Sequence, residues 1–518
     1  MNTIQQGGII AGGHIGTAKA ASTILENGGN AYEAALAALM AAFVCEPTLT
    51  SLGGGGFMTA YTQEGLAKVY DFFVQTPHKR RPLAEIDFVK STIDFGTTQQ
   101  VQFIGKGSVA VPGCPAGIAH IHRALCKMPL HEIALPAIQL AREGVRISAY
   151  QAYTMRILEP ILLHSVEMRE VFESKGKLIG EGHLLQQAKL ADTLEYLSRE
   201  GFEAFYQGEL ADMFVKDNEE NGGLIQQQDL ESYQVLERKP LIFPYNGHQI
   251  ITNPPPSMGG SMISYGLASR KNVKPSLPKG VPYIHELIDL IVGMDRFREQ
   301  HLNPGIQAGH WSTEKLEQML STSRQERKDL LGNTTHFSII DRQGNAASVT
   351  TTMGGVSGHK IPGTGISTNN MLGELDLNPL GYESWPLNQR VSSMMSPTIV
   401  LAQNQAHIVL GTGGSSRIRT AILQVLINLI THKMPLEKAV NYPRLHIEDD
   451  HLNIEPGLIK PKYAAQLKVG KLTLWEQKSM FFGGVHTVMR DVNGKLSATA
   501  DPRRDGAVSE FGSHTFPL

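Results

Sequence analysis

Residues 333–352 read NTTHFSIIDRQGNAASVTTT, the most informative local pattern in the chain. It contains two short runs of β-branched and apolar residues separated by Arg342-Gln343-Gly344. A three-residue loop that ends in glycine is typical of a β-hairpin, because one loop position needs a positive φ. The pattern therefore predicts an antiparallel hairpin centred on Gln343, in which Thr334 faces Thr352.

The predicted hairpin brings two threonine hydroxyls together. Facing side chains on neighbouring strands are about 4.5–5.5 Å apart, so Thr352 can form a hydrogen bond with Thr334. His336 lies on the same strand face as Thr334, and either a structural or a catalytic role fits it. A threonine-rich hairpin without any chemistry explains the same residues, since β-branched side chains favour strands. The hairpin alone leaves both interpretations open.

A second motif, Gly411-Thr412-Gly413-Gly414-Ser415-Ser416-Arg417, lies between an apolar strand and the helical run 418–430. Backbone N–H groups at a helix start have no intrahelical partners, and the helix dipole favours an anion there. The turn therefore fits an oxyanion hole or a phosphate site, or a glycine-rich turn without a ligand. A dinucleotide site is disfavoured, because Ser416 replaces the third glycine of that fingerprint and a P-loop lysine is absent.

The rest of the chain alternates helical and strand-like patterns, which indicates an α+β or α/β layering. Residues 215–240 resemble an exposed connection, and residues 303–332 a polar surface segment that a cut would leave as a free tail. Helices are predicted at 15–27, 31–43, 116–127, 130–142, 190–199 and 282–298, and strands at 57–61, 67–72, 335–341, 345–353, 396–402, 406–411, 471–475 and 487–491.

Composition favours small-molecule chemistry. The 47 Lys and Arg residues nearly balance 49 Asp and Glu residues, so there is no electrostatic reason to expect nucleic acid or an anionic membrane as a partner. Three scattered cysteines fit neither a disulfide framework nor a zinc site, and we expect no metal. The apolar runs 34–44 and 418–430 are shorter than the roughly 20 residues of a membrane span, and the first residues show no signal peptide. We expect a cytoplasmic protein.

The hairpin segment resembles the self-processing site of the gamma-glutamyltransferase family, whose signature there is T-T-H-[YF]-S. Further motifs occur in the family's order over nearly the whole chain. They are Asn27-Gly28-Gly29-Asn30-Ala31, 52–57, Val111-Pro112-Gly113, Pro136-Ala137, 254–260, 392–398, 413–417 and Asp501-Pro502-Arg503. So many ordered matches make chance a poor explanation.

The resemblance implies a four-layer αββα sandwich of the N-terminal-nucleophile (Ntn) hydrolase type. It implies a proenzyme that cuts itself between Asn333 and Thr334 into a large subunit, 1–333, and a small subunit, 334–518, which stay together as a heterodimer and allow a higher oligomer. Thr334 would be the nucleophile, and its new α-amine, with an ordinary pKa of about 7.7–8.0, would be the base. No cofactor is implied.

The resemblance also assigns site residues. The catalytic set is the nucleophile, the residue that orients it and the two oxyanion N–H donors: Thr334, Thr352, Gly414 and Ser415. The substrate-binding set reads the donor's α-ammonium through an acidic residue and its α-carboxylate through a serine pair beside the glycine turn: Glu374, Ser392, Ser393 and Gly413. The implied function is cleavage of gamma-glutamyl amides of the glutathione type through an acyl-threonine, with transfer to water or an amine.

Three positions depart from the family pattern. Phe73 stands where an arginine clamps the donor's α-carboxylate, Gly354 where an asparagine is frequent, and Met371 where a polar donor-binding residue is found. A phenyl ring cannot replace a bidentate guanidinium. The basic residues 79–81 either compensate or form a solvated turn, and residues 376–389 resemble the family's lid.

These departures keep two alternatives open. The first is an Ntn amidohydrolase that acts on another small amide, as in the oxamate or cephalosporin-acylase type of relative. The second is a non-catalytic relative that binds a metabolite.

Overall fold

The computed structural model describes residues 7–94, 99–270, 276–303, 333–374, 377–378 and 385–510. Residues 304–332 of the predicted surface segment, and residues 376 and 379–384 of the predicted lid 376–389, lie outside these residues. The α-helices of the described part are α1 Ile15–Glu26, α2 Ala31–Cys45, α3 Cys114–Leu125, α4 Leu130–Glu143, α5 Ala149–Ile157, α6 Glu159–Leu162, α7 Val166–Phe172, α8 Ala188–Glu200, α9 Glu209–Glu220, α10 Gln227–Glu231, α11 Met258–Ala268, α12 Gly280–Phe297, α13 Arg417–Leu426 and α14 Leu436–Asn441.

The strands of the same part are β1 Gly8–Gly12, β2 Gly55–Tyr61, β3 Ala67–Phe72, β4 Val89–Asp94, β5 Gln99–Ile104, β6 Val145–Arg146, β7 Glu173–Ser174, β8 Lys177–Leu178, β9 Leu184–Leu185, β10 Leu236–Arg238, β11 Leu241–Tyr245, β12 His248–Thr252, β13 Thr335–Asp341, β14 Ala346–Thr352, β15 Thr398–Ala402, β16 Gln405–Gly411, β17 Leu445–Glu448, β18 His451–Ile454, β19 Lys471–Leu474, β20 His486–Arg490, β21 Leu496–Thr499 and β22 Ala507–Glu510.

The predicted hairpin is confirmed as β13 and β14. Their antiparallel register pairs Thr335 with Thr351 and Ile340 with Ala346, as a turn centred on Gln343 requires. Gly344 has a φ of +96°, which the loop needs and which an L side chain rarely adopts. The hairpin lies at the centre of a seven-stranded antiparallel sheet of order β10-β3-β2-β14-β13-β1-β22.

A second sheet, of order β11-β12-β15-β16-β20-β21, packs face to face against the first. Helices α1, α2 and α3 pack on the outer face of the seven-stranded sheet, with α4 stacked on α2 and α8 on α4, and α11 and α13 pack on the outer face of the six-stranded one, with α12 stacked on α11. Apolar residues such as Ile9, Ile251, Ile340 and Val409 fill the space between the sheets. The result is the predicted four-layer αββα sandwich.

Helix α2 passes through the core and ends beside the hairpin. Asn30 begins it with a capping box, in which its side chain accepts from the backbone of Glu33 and the Glu33 carboxylate accepts from the backbone of Asn30. All its residues are buried, which explains its alanine-rich sequence without a polar face. Glu46 follows its last turn and points a buried carboxylate at the hairpin.

One part of the predicted organisation is wrong. Residues 215–240, predicted as an exposed connection, contain the end of α9, the short α10 and the edge strand β10, and bury Leu224, Ile225 and Leu230. Local polarity concealed these elements, because α9 is amphipathic and β10 pairs with β3. Within the described residues, no helix combines the length and the apolar character needed to cross a membrane.

Candidate active site

Thr334 lies immediately before strand β13 and is held by its backbone. Its carbonyl oxygen accepts a hydrogen bond from Nη1 of Arg504 at 3.3 Å. Gly413 packs against the same carbonyl so closely that a Cβ at position 413 would lie 1.9 Å from the oxygen. The glycine is therefore required for the turn to approach Thr334.

Thr352 contacts the peptide bond that precedes Thr334. Its hydroxyl donates a short hydrogen bond to the carbonyl oxygen of Asn333 and accepts one from the N–H of Gly354 at 3.0 Å. The predicted facing of Thr334 and Thr352 follows from the register, but the hydrogen bond of the Thr352 hydroxyl goes to Asn333 rather than to Thr334. A donor on this oxygen stabilises negative charge that develops there during attack on the carbonyl carbon.

The glycine turn joins β16 to α13 with two consecutive residues at positive φ. Gly414 has a φ of +132° and Ser415 a φ of +50°, and the N–H groups of Arg417 and Ile418 bond the carbonyls of these two residues at 3.0 Å each. These carbonyls therefore point into the helix. The turn is stabilised from the other side, where the Thr412 hydroxyl accepts from the N–H of Gly484 at 2.8 Å.

A cleft of about 440 Å³ opens beside Thr334. Glu374 is the one charged side chain among the described residues of its wall. The described wall consists of Phe73, Met258, Asn333, Thr334, Thr352, Met371, Glu374, Leu377, Ser393, Met394, Met395, Ser415 and Ile418.

Some of the predicted site residues line the cleft and others lie outside its wall. Of the assigned set, five residues line the cleft: Thr334, Thr352, Glu374, Ser393 and Ser415. Gly413 touches the Thr334 carbonyl and Gly414 follows it in the turn, outside the wall itself. Ser392 is buried next to Ser393 and is not among the described residues of the cleft wall.

Gly354 makes room for Glu374. A Cβ at position 354 would lie 2.3 Å from Oδ1 of Asn370 and 2.6 Å from Oε1 of Glu374. The φ of Gly354 is +71°, which adds strain for any larger residue. The Glu374 carboxylate thus lies close to the space that an asparagine side chain at this position would enter.

Phe73 lines the cleft as an aromatic wall. Its ring stacks on Phe57 with centroids 5.3 Å apart, and its N–H donates to Oδ1 of Asp71 at 3.0 Å. The neighbouring cation, Arg390, is buried behind it, with Nε 3.4 Å from Asp71 Oδ1 and the guanidinium over the ring of Tyr233 at 4.7 Å. Arg390 also donates to the carbonyls of Phe73 and Gln234, and it is not among the described residues of the cleft wall.

The basic turn 79–81 does not compensate for Phe73. Arg80 donates to the carbonyl of Trp385 and lies over its ring at 5.0 Å, and Arg81 donates to the carbonyl of Gly223 at 3.2 Å. None of the three basic residues is part of the described cleft wall.

His336 has a structural role. Its ring nitrogens bond the hydroxyls of Thr350 and Ser338, each at 2.8 Å, and burial holds its pKa well below the ordinary value. The ring packs directly against Gly411, where a Cβ would lie 2.4 Å from it. A neutral imidazole between the two sheets supports the strands and does not reach the cleft.

Sequence reasoning missed two residues that hold the nucleophile strand. Arg504 binds the Thr334 carbonyl, and Glu46 accepts a hydrogen bond from the Thr335 hydroxyl. The motif Asp501-Pro502-Arg503 is adjacent to Arg504 and is the nearest signal in the sequence, whereas nothing local distinguishes Glu46. Among the described residues, no group of three or more His, Cys, Asp or Glu side chains is placed to hold a metal ion.

Comparison with known proteins agrees with this geometry. The family model described as "Gamma-glutamyltranspeptidase" matches residues 17–511. The chain is 29% identical to the "Glutathione hydrolase proenzyme" of Escherichia coli (strain K12), over 93% of this chain and 87% of that one. It is 30% identical to the "Acylase ACY 1 proenzyme" of Pseudomonas sp. (strain SE83), over 96% of this chain and 92% of that one.

The crystal structure of cephalosporin acylase from Bacillus halodurans has the same fold, with a TM-score of 0.78, 23% identity and coverage of 97% of this chain and 96% of that one. The αββα sandwich is the Ntn-hydrolase fold. The chain belongs to the gamma-glutamyltranspeptidase family.

Proposed function

We propose that the chain cuts itself between Asn333 and Thr334, and that the new N-terminal threonine then cleaves amides through an acyl-enzyme. The observation that supports this most directly is the hydrogen bond from Thr352 to the Asn333 carbonyl, which lies in the same cleft as Thr334. The products are a large subunit, 1–333, and a small subunit, 334–518, held together as a heterodimer.

The self-cleavage step is an N-to-O acyl shift followed by hydrolysis. The Thr334 hydroxyl attacks the Asn333 carbonyl carbon, the C–N bond breaks, and the nitrogen takes up the proton that the hydroxyl loses. An ester now joins Asn333 to the Thr334 side chain. Water hydrolyses that ester, which releases the Asn333 carboxylate and regenerates the hydroxyl beside a free α-amine.

The mature enzyme repeats this chemistry on its substrate. The α-amine of Thr334 removes the hydroxyl proton, because its ordinary pKa of about 7.7–8.0 lies near the working pH. Oγ attacks the substrate amide carbonyl, the N–H groups of Gly414 and Ser415 receive the oxyanion, and the amine leaves with the proton. The acyl-threonine ester is then hydrolysed by water or captured by an amine acceptor.

Gamma-glutamyl amides of the glutathione type are the proposed substrates. Family membership supports this class, and so do Glu374 and Ser393, which line the cleft where an α-ammonium and an α-carboxylate need partners. The buried thiols of Cys45 and Cys114 support a reducing compartment, and the cytoplasm is the proposed location.

A second candidate is an amidohydrolase for a less polar acyl group. Phe73 and Met371 support it, because they place apolar surface where a carboxylate clamp and a polar donor contact are expected. Burial of an unpaired carboxylate against such a wall is costly. The relative named "Acylase ACY 1 proenzyme" supports the same candidate.

Four anilides of matched length separate the two candidates. They are the gamma-glutamyl compound, the glutaryl compound without its α-ammonium, the 4-aminobutyryl compound without its α-carboxylate, and the butyryl compound without either. The highest kcat/KM on the gamma-glutamyl anilide supports the first candidate, and a higher value on the 4-aminobutyryl or butyryl anilide supports the second. A full-length band on denaturing electrophoresis, with no turnover of any anilide, contradicts both and favours a non-catalytic metabolite-binding relative.

A further inference from the structure

A buried carboxylate lies under the nucleophile strand, on the side away from the cleft. Oε1 of Glu46 accepts a hydrogen bond from the Thr17 hydroxyl of α1 at 2.8 Å, and Oε2 accepts one from the Thr335 hydroxyl at the start of β13. Three segments that are distant in sequence therefore meet at one side chain.

The surroundings of Glu46 leave little freedom for this contact. A Cβ at Gly13 would lie 2.4 Å from Oε2 of Glu46 and 2.6 Å from the Thr335 hydroxyl, so only glycine fits beside them. Burial raises the pKa of the Glu46 carboxyl to about 7, and the hydrogen bonds from Thr335 and Thr17 lower it in part. The titratable groups that interact with it are Cys45, Tyr150 and Asp505, and His14 and Arg504 in turn interact with Asp505 and Tyr150 respectively.

The position of Thr335 gives this contact its significance. Thr335 is the residue through which Thr334 is joined to the strand, and its side chain points to the opposite face from that of Thr334. After a cut between Asn333 and Thr334, Thr334 has one covalent neighbour left. Its orientation then depends on the Arg504 contact to its carbonyl and on how firmly Thr335 is held.

We propose that Glu46 is a positioning residue, which holds Thr335 through its hydroxyl and so fixes the hydroxyl and the α-amine of Thr334 relative to the bound amide. The inference rests on the acyl-threonine chemistry proposed above. It does not depend on which amide is the substrate.

The two threonines on Glu46 provide a matched pair of variants. Thr335→Val and Thr17→Val each remove one hydroxyl from the same carboxylate and keep the shape of the side chain. Only Thr335 is bonded to the nucleophile. A contact that merely stabilises the fold is weakened in both variants, whereas a positioning contact affects turnover in one of them.

The test is steady-state kinetics of the purified full-length protein on the best of the four anilides, together with the extent of self-cleavage on denaturing gels. We expect Thr335→Val to lower kcat by at least about tenfold with KM within about twofold of the wild-type value, because the loss falls on the transition state. Thr335→Ser, which keeps the hydroxyl, restores most of kcat, and Thr17→Val keeps kcat within about twofold.

Two results overturn the inference. One is a kcat for Thr335→Val within about twofold of wild type, and the other is an equal loss in Thr17→Val. If Thr335→Val is not cleaved, the extent of self-cleavage on denaturing gels is the readout in place of kcat, and a loss of cleavage in Thr17→Val equal to that in Thr335→Val overturns the inference. A wild-type protein that neither cuts itself nor turns over any anilide refutes the proposed function instead.

Discussion

The hydroxyl of Thr352 donates a hydrogen bond to the carbonyl oxygen of Asn333, across the hairpin from the strand that begins at Thr335. The residue at the end of β14 is thereby placed on the peptide bond that the proposed reaction breaks. The same residue accepts from the N–H of Gly354, so its hydroxyl proton is directed at Asn333. One hairpin thus supplies both the attacking hydroxyl and a donor for the carbonyl under attack.

Removing this donor tests its role in self-cleavage. We expect Thr352→Val to slow the conversion of the precursor into two fragments by about 100- to 1000-fold, the usual cost of deleting one oxyanion donor. The conversion is followed on denaturing gels after synthesis. Thr352→Ser keeps the donor and retains most of the rate.

Thr351→Val is the matched control, because the Thr351 hydroxyl bonds Thr50 at 2.9 Å and not Asn333. A Thr352→Val protein that matures as fast as this control would show that the Asn333 contact plays no part in the reaction.

The close approach of Gly413 to Thr334 yields a second prediction. In Gly413→Ala the new methyl group would meet the Thr334 carbonyl oxygen at 1.9 Å and displace the nucleophile. A displacement of about 1 Å can cost about 100-fold, so we expect turnover of the best anilide to fall by at least that factor. Gly180→Ala is the control, since a methyl group at that position would have no other atom within 4 Å. Comparable activity in the two variants would contradict the packing described.

Glu374 is expected to select substrates by charge. Glu374→Gln removes a charged hydrogen-bond partner, and we expect this to lower kcat/KM by about 10- to 100-fold. The loss should appear on the gamma-glutamyl and 4-aminobutyryl anilides, which carry an ammonium group, and be absent on the glutaryl and butyryl anilides. A uniform loss on all four compounds would assign Glu374 to the shape of the cleft rather than to recognition.

The raised pKa of Glu46 predicts a pH-dependent stability. Because the folded-state pKa of about 7 lies above the ordinary value of 4.5, the stability linked to the protonated carboxyl is present below 4.5 and is lost as pH rises through 7. Urea unfolding is measured on the uncut Thr334→Ala protein, with and without Glu46→Gln, from acid to neutral pH. As pH rises, the free energy of unfolding of the protein with Glu46 should fall relative to that of the Glu46→Gln variant. Parallel curves for the two proteins would refute the raised pKa of Glu46.

The sequence predicted those parts of the structure that local pattern controls. The hairpin register followed from Gly344 and the strand periodicity, and helices α1 and α2 correspond to the predicted helical runs 15–27 and 31–43. The family resemblance predicted the four layers of the sandwich and the set of candidate site residues that includes Thr334 and Ser415. These features depend on neighbours in sequence or on motifs that carry their own signal.

The remaining features depend on contacts between distant residues. Glu46 meets Thr335 across 289 positions, and no local pattern marks either partner. Arg390 forms an ion pair with Asp71 and lies over the ring of Tyr233. Its neighbours in the sequence do not indicate either contact. The prediction for segment 215–240 is wrong for the same reason, since β10 becomes a strand only through its pairing with β3.

The order of the seven-stranded sheet has a consequence for the two proposed subunits. Strand β1 comes from the first part of the chain, yet its neighbours on both sides, β13 and β22, come from the second part. The hairpin in turn adjoins β2 of the first part. We therefore expect that dilution does not separate the fragments, because separation requires breaking the backbone hydrogen bonds between interleaved strands of one sheet. If the proposed cut occurs, an unfolded mature enzyme would have to reassemble from two separate chains a sheet that first formed within one chain.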